Sequence, residues 1–251
     1  MKTKRYSLQT MVFETRGEMG RAAAEEVVRA IVELMEKQDT VRMIFAAAPS
    51  QNEFLKAFVE DSRVDFSRIV AFHMDEYVGL ASDAPQGFGN FLRDRLFGQA
   101  PFKAVHYING NAHDMQAECD RYTALLADAP IDIVCMGIGE NGHIAFNDPH
   151  VARIDDPAAV KLVELDDVCR MQQVHDGCFK KIEDVPKMAV TLTVSRLMDA
   201  GKHFCVVPAA TKSHAVRETF YGPIGNHCPA TTLRICPDAM LFLDKDSAAL
   251  L

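Results

Sequence analysis

The stretch from residue 131 to residue 149, IDIVCMGIGENGHIAFNDP, constrains the fold more than any other part of the sequence. It opens with a nearly continuous apolar run, which is typical of a strand covered on both faces in a parallel sheet. Three glycines follow, Gly137, Gly139 and Gly142, and they permit tight turns and a close approach of the backbone to a ligand. Because α/β proteins bind ligands at the carboxyl ends of parallel strands, this stretch predicts both the fold class and the place of a site.

Polar side chains on the same loop favour a functional site over a plain turn. Asn141, His143 and Asp148 share the loop with the glycines, although a lone histidine is more often structural. The glycines also match GxGxxG, but the residues that follow read as a turn and not as a helix, so a dinucleotide site is weakly supported. A metal site built from His143, Asp148 and His150 matches no ligand spacing, and no metal is expected.

Composition favours one soluble domain that acts on a small molecule. A chain of 251 residues with 48% hydrophobic residues can bury one large core, and a net charge of -8 argues against a nucleic-acid partner. The seven cysteines are odd in number and lack CxxC pairs, so they are expected to be reduced packing residues. No apolar run has the length of a membrane span, and the N-terminus lacks a signal-peptide core. We therefore expect a cytoplasmic protein without a membrane partner, and the sequence leaves a homo-oligomer open.

Strand and helix patterns alternate along the chain. Strands are predicted at 6–13, 41–47, 68–73, 131–136, 160–165, 188–194, 204–207 and 239–243. A further short strand is predicted to end at 106–108. Helices are predicted at 17–37, 52–59, 87–97, 114–126 and 168–174, with others closing at 197–201 and starting at Thr211. The pattern predicts a single doubly wound, Rossmann-like α/β domain over 1–251, with a mostly parallel sheet and flanking helices. The polar segment after residue 150 suggests a lid at about 150–180.

Three further positions are candidates with ordinary alternatives. Asp75 and Glu76 form an acidic pair at a predicted strand end, where Asp75 could equally be a helix cap. The turn that contains Ser50 could present backbone N–H groups to an anion, or simply join a strand to a helix. Lys212 begins a predicted helix after a strand and is a candidate phosphate ligand, although a surface lysine is the usual alternative.

Two long motifs carry a resemblance to a known family. FHMDEYVGL at 72–80 and GIGENGHIAFNDP at 137–149 resemble the glucosamine-6-phosphate deaminase family, within a wider group that includes 6-phosphogluconolactonases. PAATKSHAV and CPATTLRICPDAMLFLD extend the similarity over nearly the whole chain. The resemblance implies cofactor-free isomerisation and deamination of a hexosamine 6-phosphate, with glucosamine 6-phosphate favoured. A galactosamine 6-phosphate deaminase, a 6-phosphogluconolactonase and a non-catalytic sugar-phosphate sensor are the alternatives.

The resemblance also assigns roles to residues. It implies that Asp75 removes the C2 proton and that His143 opens the sugar ring with help from Asn141 and Asp148. Glu76, beside Asp75, is a candidate substrate-binding residue. An imidazole suits that proton transfer at neutral pH, and a neighbouring carboxylate can orient it. The usual acid at position 148 is Glu, so Asp148 is one methylene shorter.

The phosphate end departs from the family pattern. Lys212 is implied as a phosphate ligand, and the glycines of the central loop, Gly139 and Gly142, as substrate-binding backbone. Where the family has a Gly- and Thr-rich loop, this chain has AAAPSQ at 46–51, which leaves Ala48 and Ser50 as candidate ligands. Arg170 is the nearest candidate for the arginine that the family carries in its lid.

Overall fold

A seven-stranded sheet forms the centre of the protein, whose computed structural model describes residues 8–251. Its strands are β1 (Gln9–Phe13), β2 (Val41–Phe45), β3 (Ile69–His73), β5 (Ala104–His106), β6 (Ile133–Met136), β9 (Lys202–Val207) and β10 (Ala239–Asp244). They lie in the order β1-β10-β9-β6-β2-β3-β5, and every neighbouring pair is parallel. The predicted parallel α/β sheet is confirmed, while residues 6 and 7 of the predicted first strand lie outside the described residues.

Helices cover both faces of this sheet. They are α1 (Arg16–Met35), α2 (Asn52–Val59), α3 (Phe88–Leu92), α4 (Met115–Ala127), α5 (Asp167–His175), α6 (Val194–Met198) and α7 (Ser213–Tyr221). Successive side chains of a strand point to opposite faces. Met43 and Phe45 accordingly pack into the core on one side with α1 and α2, whereas Ile44 packs into the core on the other side with α4. The sheet is therefore buried on both faces, which explains its continuous apolar strands.

A second sheet of three strands was not predicted. It consists of β4 (Asp75–Tyr77), β7 (Val160–Glu164) and β8 (Met188–Leu192), all antiparallel, in the order β4-β8-β7. The predicted strands near 160 and 188 therefore do not belong to the parallel sheet. The chain leaves the main sheet at His73 and enters the small sheet at Asp75, with Met74 as the connecting residue.

The register of the central strands brings three loops together. β6 lies between β2 and β9, with Phe45 opposite Cys135 and Cys135 opposite Phe204. Because the strands are parallel, the loops after β2, β6 and β9 leave the same edge side by side. Among residues 8–251, no helix is long and apolar enough to cross a membrane.

Candidate active site

A cleft lies at the carboxyl ends of the central strands. It encloses about 500 Å³ of empty space, its open mouth included. Its walls come from the loops after β2 and β6, from Met74 and Asp75 at the junction of the two sheets, from α5 and from Lys212. The cleft thus brings together residues from both sheets.

His143 is fixed at one nitrogen and free at the other. Its Nδ1 lies 2.7 Å from Asn141 Oδ1 and 3.1 Å from Asp148 Oδ1. Both neighbours accept hydrogen bonds, because the Asn141 amide nitrogen donates to Asp148 at 3.0 Å, so Nδ1 carries the proton. Nε2 has no hydrogen-bond partner among residues 8–251, and the ring lines the cleft. His143 therefore presents an unprotonated nitrogen to a bound molecule, as a general base requires.

Gly139 makes room for the His143 ring. A β-carbon at position 139 would lie only 2.1 Å from Cε1 and 2.2 Å from Nε2 of His143. The glycine also lines the cleft, as the sequence predicted. Gly142 does not: it adopts a positive φ of 82° and backs onto Cys228, where a β-carbon would meet the sulfur at 2.5 Å. Gly142 is thus a turn residue, and the prediction that it binds substrate was wrong.

Asp148 is a buried, ionised anchor for the histidine. Burial opposes its ionisation, but hydrogen bonds from His143 and Asn141 outweigh that effect and hold the pKa of the carboxyl below its ordinary value. The backbone N–H of Asp166 donates to its second oxygen at 3.3 Å. Because Asp166 caps the N-terminus of α5, the Asp148 carboxylate also joins that helix to the loop after β6.

Asp75 lines the same cleft in a different environment. Burial raises the pKa of its carboxyl well above the ordinary value, and the nearby charge of Glu76 adds to the effect. No donor among residues 8–251 forms a hydrogen bond with its side chain, and only its backbone carbonyl is bound, by His73 Nδ1 at 2.9 Å. A desolvated carboxylate without partners is a stronger base than an exposed one.

Glu76 does not face the cleft, contrary to the predicted substrate-binding role. Successive residues of a strand point to opposite faces, so the side chain of Glu76 leaves the other side of β4. Its carboxylate accepts backbone N–H groups from Tyr77 at 2.9 Å, Phe88 at 3.0 Å and Gly89 at 2.8 Å. Glu76 is a structural connection between β4 and the start of α3.

Lys212 makes the cleft suitable for an anion. Lys212 is only 4% exposed, and its Nζ has no hydrogen-bond partner among the described residues. Burial lowers the pKa of this amine, while the negative charges of Asp176 and Glu140 oppose that shift. Ala48 and Ser50 line the same region, where the loop after β2 begins a 3-10 turn at Pro49. The three predicted residues are therefore together, and a buried cation without a partner is open to a negatively charged ligand.

Arg170 lies outside the cleft, so the structure corrects its predicted role as a phosphate ligand. Its guanidinium donates to Asp167 at 2.9 Å and to the carbonyls of Ile182 and Val185 at 2.7 and 3.2 Å. The side chain is buried on the far side of α5 and ties that helix to the segment before β8. In its place, α5 presents Gln172 and Gln173 to the cleft.

Three polar residues of the cleft were not singled out by the sequence analysis: Gln51, Gln172 and Gln173. Gln51 is 1% exposed and donates through Nε2 to the carbonyl of Val206 at 3.0 Å. A glutamine has no chemistry that marks it in a sequence. The useful signal was position, because Gln51 follows a buried strand and the glutamine pair follows the cap of α5.

Two groups of side chains also have the composition of metal sites. Ligand atoms of His143, Asp148 and Cys169 lie within 4.8 Å of one another, and so do those of Asp148, His150 and Asp166. Asp148 belongs to both groups, and its carboxylate is already bound by His143, Asn141 and the Asp166 backbone. The arrangement around it is a hydrogen-bond network that orients the imidazole.

The fold and the cleft define a class of protein. It is an α/β protein in which a hydrogen-bonded imidazole (His143), a buried carboxylate (Asp75) and an unpaired lysine (Lys212) line one cleft. The family of glucosamine-6-phosphate isomerases and 6-phosphogluconolactonases matches residues 14–241. The chain belongs to this family.

Similar proteins agree with that assignment. A glucosamine-6-phosphate deaminase of Listeria innocua is 36% identical over 223 residues, which cover 88% of this chain and 93% of the relative. One from Streptococcus pneumoniae is 36% identical over 82% of this chain and 85% of its own length. A solved monomeric glucosamine-6-phosphate deaminase superposes with a TM-score of 0.89 at 26% identity, covering 97% of this chain and all of that one. The 6-phosphogluconolactonase of Trypanosoma brucei, at 19% identity, 98% and 99% coverage and a TM-score of 0.80, shares the fold.

Proposed function

We propose that this protein converts glucosamine 6-phosphate and water into fructose 6-phosphate and ammonia. The observation that carries the proposal is that two unpaired basic groups, Asp75 and Nε2 of His143, line one cleft together with the unpaired cation of Lys212. The deaminases from Listeria innocua and Streptococcus pneumoniae support the choice of substrate.

Ring opening is the first step. The sugar is mostly a closed ring, so a proton must leave the anomeric hydroxyl and another must reach the ring oxygen. Nε2 of His143 accepts the first proton, and the resulting imidazolium is stabilised by Asp148 through Nδ1–H. The same nitrogen then returns a proton to the ring oxygen, which breaks the bond between that oxygen and C1.

Isomerisation is the second step, and Asp75 is its base. Its carboxylate takes the C2 proton of the open-chain aldehyde while the substrate's own ammonium group gives a proton to O1, which yields an enol-amine. The carboxyl group then gives its proton to C1. The product is a C2 imine, which water hydrolyses to the ketone and ammonia. The raised pKa of Asp75 suits proton removal from carbon, which is a weak acid.

Lys212, with Ser50 and the backbone at Ala48, is the proposed phosphate-binding group. These residues line the same cleft as Asp75 and His143. We also propose that the segment at about 150–180, which supplies α5, covers the bound substrate within one domain of 1–251.

An ammonia-release assay with glucosamine 6-phosphate and galactosamine 6-phosphate tests the proposal. We expect equal amounts of ammonia and ketose 6-phosphate from glucosamine 6-phosphate. Release of ammonia from the galactosamine ester alone would change the substrate, and absence of ammonia from both, despite tight binding, would indicate a sensor. Hydrolysis of 6-phosphogluconolactone that survives Asp75→Asn would indicate a lactonase, because that reaction needs no base at C2.

A further inference from the structure

The inner face of α5 carries two adjacent buried amides. Gln172 and Gln173 are 6% and 7% exposed, and both line the cleft. Gln172 is engaged by the protein, because its Oε1 accepts the backbone N–H of Glu140 at 2.7 Å. Its Nε2 also points to Asp176 Oδ2 at 3.4 Å. Gln172 therefore connects α5 to the loop after β6 by a hydrogen bond.

Gln173 differs from its neighbour because its carboxamide pairs with no donor or acceptor among residues 8–251. Its backbone carbonyl accepts the N–H groups of Cys178 and Phe179 at 2.9 and 3.3 Å, which leaves the carboxamide uninvolved. Buried polar side chains in native proteins almost always have a hydrogen-bond partner. A side chain that lines a cleft without one is available to a ligand.

Besides Asp75 and His143, two fully buried polar atoms without a partner in the described part of the chain belong to residues of the same cleft. They are Nζ of Lys212 and Oε1 of Gln51. Lys212 is the one Lys or Arg among the described residues that line the cleft. Arg170, on the same helix as Gln173, is bound elsewhere. An anion in this cleft therefore has a single cation, and its remaining oxygens need neutral donors.

We propose that Gln173 is a substrate-contacting, specificity-determining residue whose Nε2–H donates to the phosphate that Lys212 binds. The inference rests on the proposed function for its substrate and extends it to a residue that lies on the cover of the cleft. A carboxamide supplies a hydrogen bond and no charge, so recognition at this position depends on geometry and on an acceptor oxygen. Lys212 attracts the anion, and Gln173 selects ligands whose anionic group reaches α5.

Binding of inorganic phosphate and of glucosamine 6-phosphate to wild type and variants, measured by calorimetry, tests the assignment independently of turnover. Removing a hydrogen bond to a charged group weakens binding about 10- to 100-fold, so Gln173→Ala should raise both dissociation constants by that factor. Gln173→Glu keeps the shape and opposes the anion, so it should bind phosphate more weakly still. Gln116→Ala, which removes an exposed amide from α4, is the matched control and should bind as wild type does.

Steady-state kinetics separate this inference from the proposed function. Gln173→Ala should raise KM with little change in kcat, because the contact is made equally in the ground state and the transition state. If wild type releases ammonia but all proteins bind phosphate equally, the role of Gln173 is wrong and the proposed function stands. If wild type releases no ammonia but Gln173→Ala and Gln173→Glu weaken phosphate binding, the anion contact stands and the reaction is wrong. Melting curves confirm that the variants are folded.

Discussion

At the scale of the residue, the two proposed catalytic groups are prepared in opposite ways. His143 is held by Asn141 and Asp148, which fix its tautomer and leave Nε2 free. The side chain of Asp75 has no hydrogen bond among residues 8–251, and burial, with the nearby charge of Glu76, raises its pKa. Orientation therefore matters most for the histidine, and desolvation matters most for the aspartate.

Substitution of each group should separate the two steps. Asp75→Asn should abolish exchange of the C2 hydrogen with solvent, even for a substrate supplied in its open-chain form, because an amide cannot take a proton from carbon. His143→Gln should affect that exchange much less, since an open-chain substrate needs no ring opening. Exchange is measured by NMR in deuterated buffer. Near-normal exchange in Asp75→Asn would remove Asp75 from the role of base.

The same aspartate should limit stability at high pH. Its folded-state pKa is raised, so its favourable contribution is complete below the ordinary pKa of an aspartate and is lost as pH rises through the raised value. Asp75→Asn behaves like a permanently protonated side chain. The variant should melt at about the wild-type temperature near pH 4 and at a higher temperature near pH 8, by about 2–4 °C for each kcal/mol gained. An equal difference at both pH values would contradict the burial argument.

Sequence reasoning identified some site residues and misplaced others for a physical reason. Asp75, His143 and Lys212 each follow a strand of the main sheet, and parallel strands bring such positions to one edge. The orientation of Glu76 and Arg170 depends on hydrogen bonds to backbone groups in the next segment of the chain, such as Gly89 and Ile182, and strand or helix periodicity does not report these. The position of Gln173 in the cleft was not predicted, because a glutamine on a helix gives no functional signal until its neighbours in the structure are known.

At the scale of the element, the small sheet was the part of the fold that the sequence did not predict. β4 has three residues, two of them acidic, and it pairs with β8, where Asp75 lies opposite Thr191. A short polar strand carries no alternation of apolar residues from which to recognise it. Its burial comes from neighbours far along the chain, so its existence is a tertiary effect.

Glu76 should therefore matter for stability more than for chemistry. Glu76→Ala leaves three buried N–H groups without their acceptor and should lower the free energy of unfolding by about 3 kcal/mol. Glu76→Gln keeps one acceptor oxygen and should cost less. Urea denaturation measures both. Glu33→Ala, on the exposed face of α1, serves as the control, and a loss as small as in that variant would show that Glu76 is dispensable.

At the scale of the whole molecule, the cysteines serve packing. Every one is free, and six of the seven are buried, with Cys178 the partly exposed exception. Burial also raises the pKa of the Cys178 thiol to about 11, which keeps it mostly protonated at neutral pH.

A thiol-reactive chromogenic reagent should therefore distinguish native from unfolded protein. We expect slow modification of about one thiol per chain in the native state, because the other six are inaccessible, and rapid modification of all seven in denaturant. Cys178→Ser should remove the native reaction. Fast reaction of several thiols in the native protein would mean that its core opens readily.

The crossing of the chain from one sheet to the other at Met74 has a consequence for how such proteins diversify. The main sheet supplies Lys212 and the His143 loop, whereas the small sheet supplies Asp75, and its strands β7 and β8 flank α5 with Gln173. The site thus lies between the main sheet and the small sheet, and the residues that each sheet supplies can vary separately. We propose that exchange of the 150–192 segment between relatives transfers the ligand preference of the donor and leaves His143, the proposed ring-opening group of the recipient, in place.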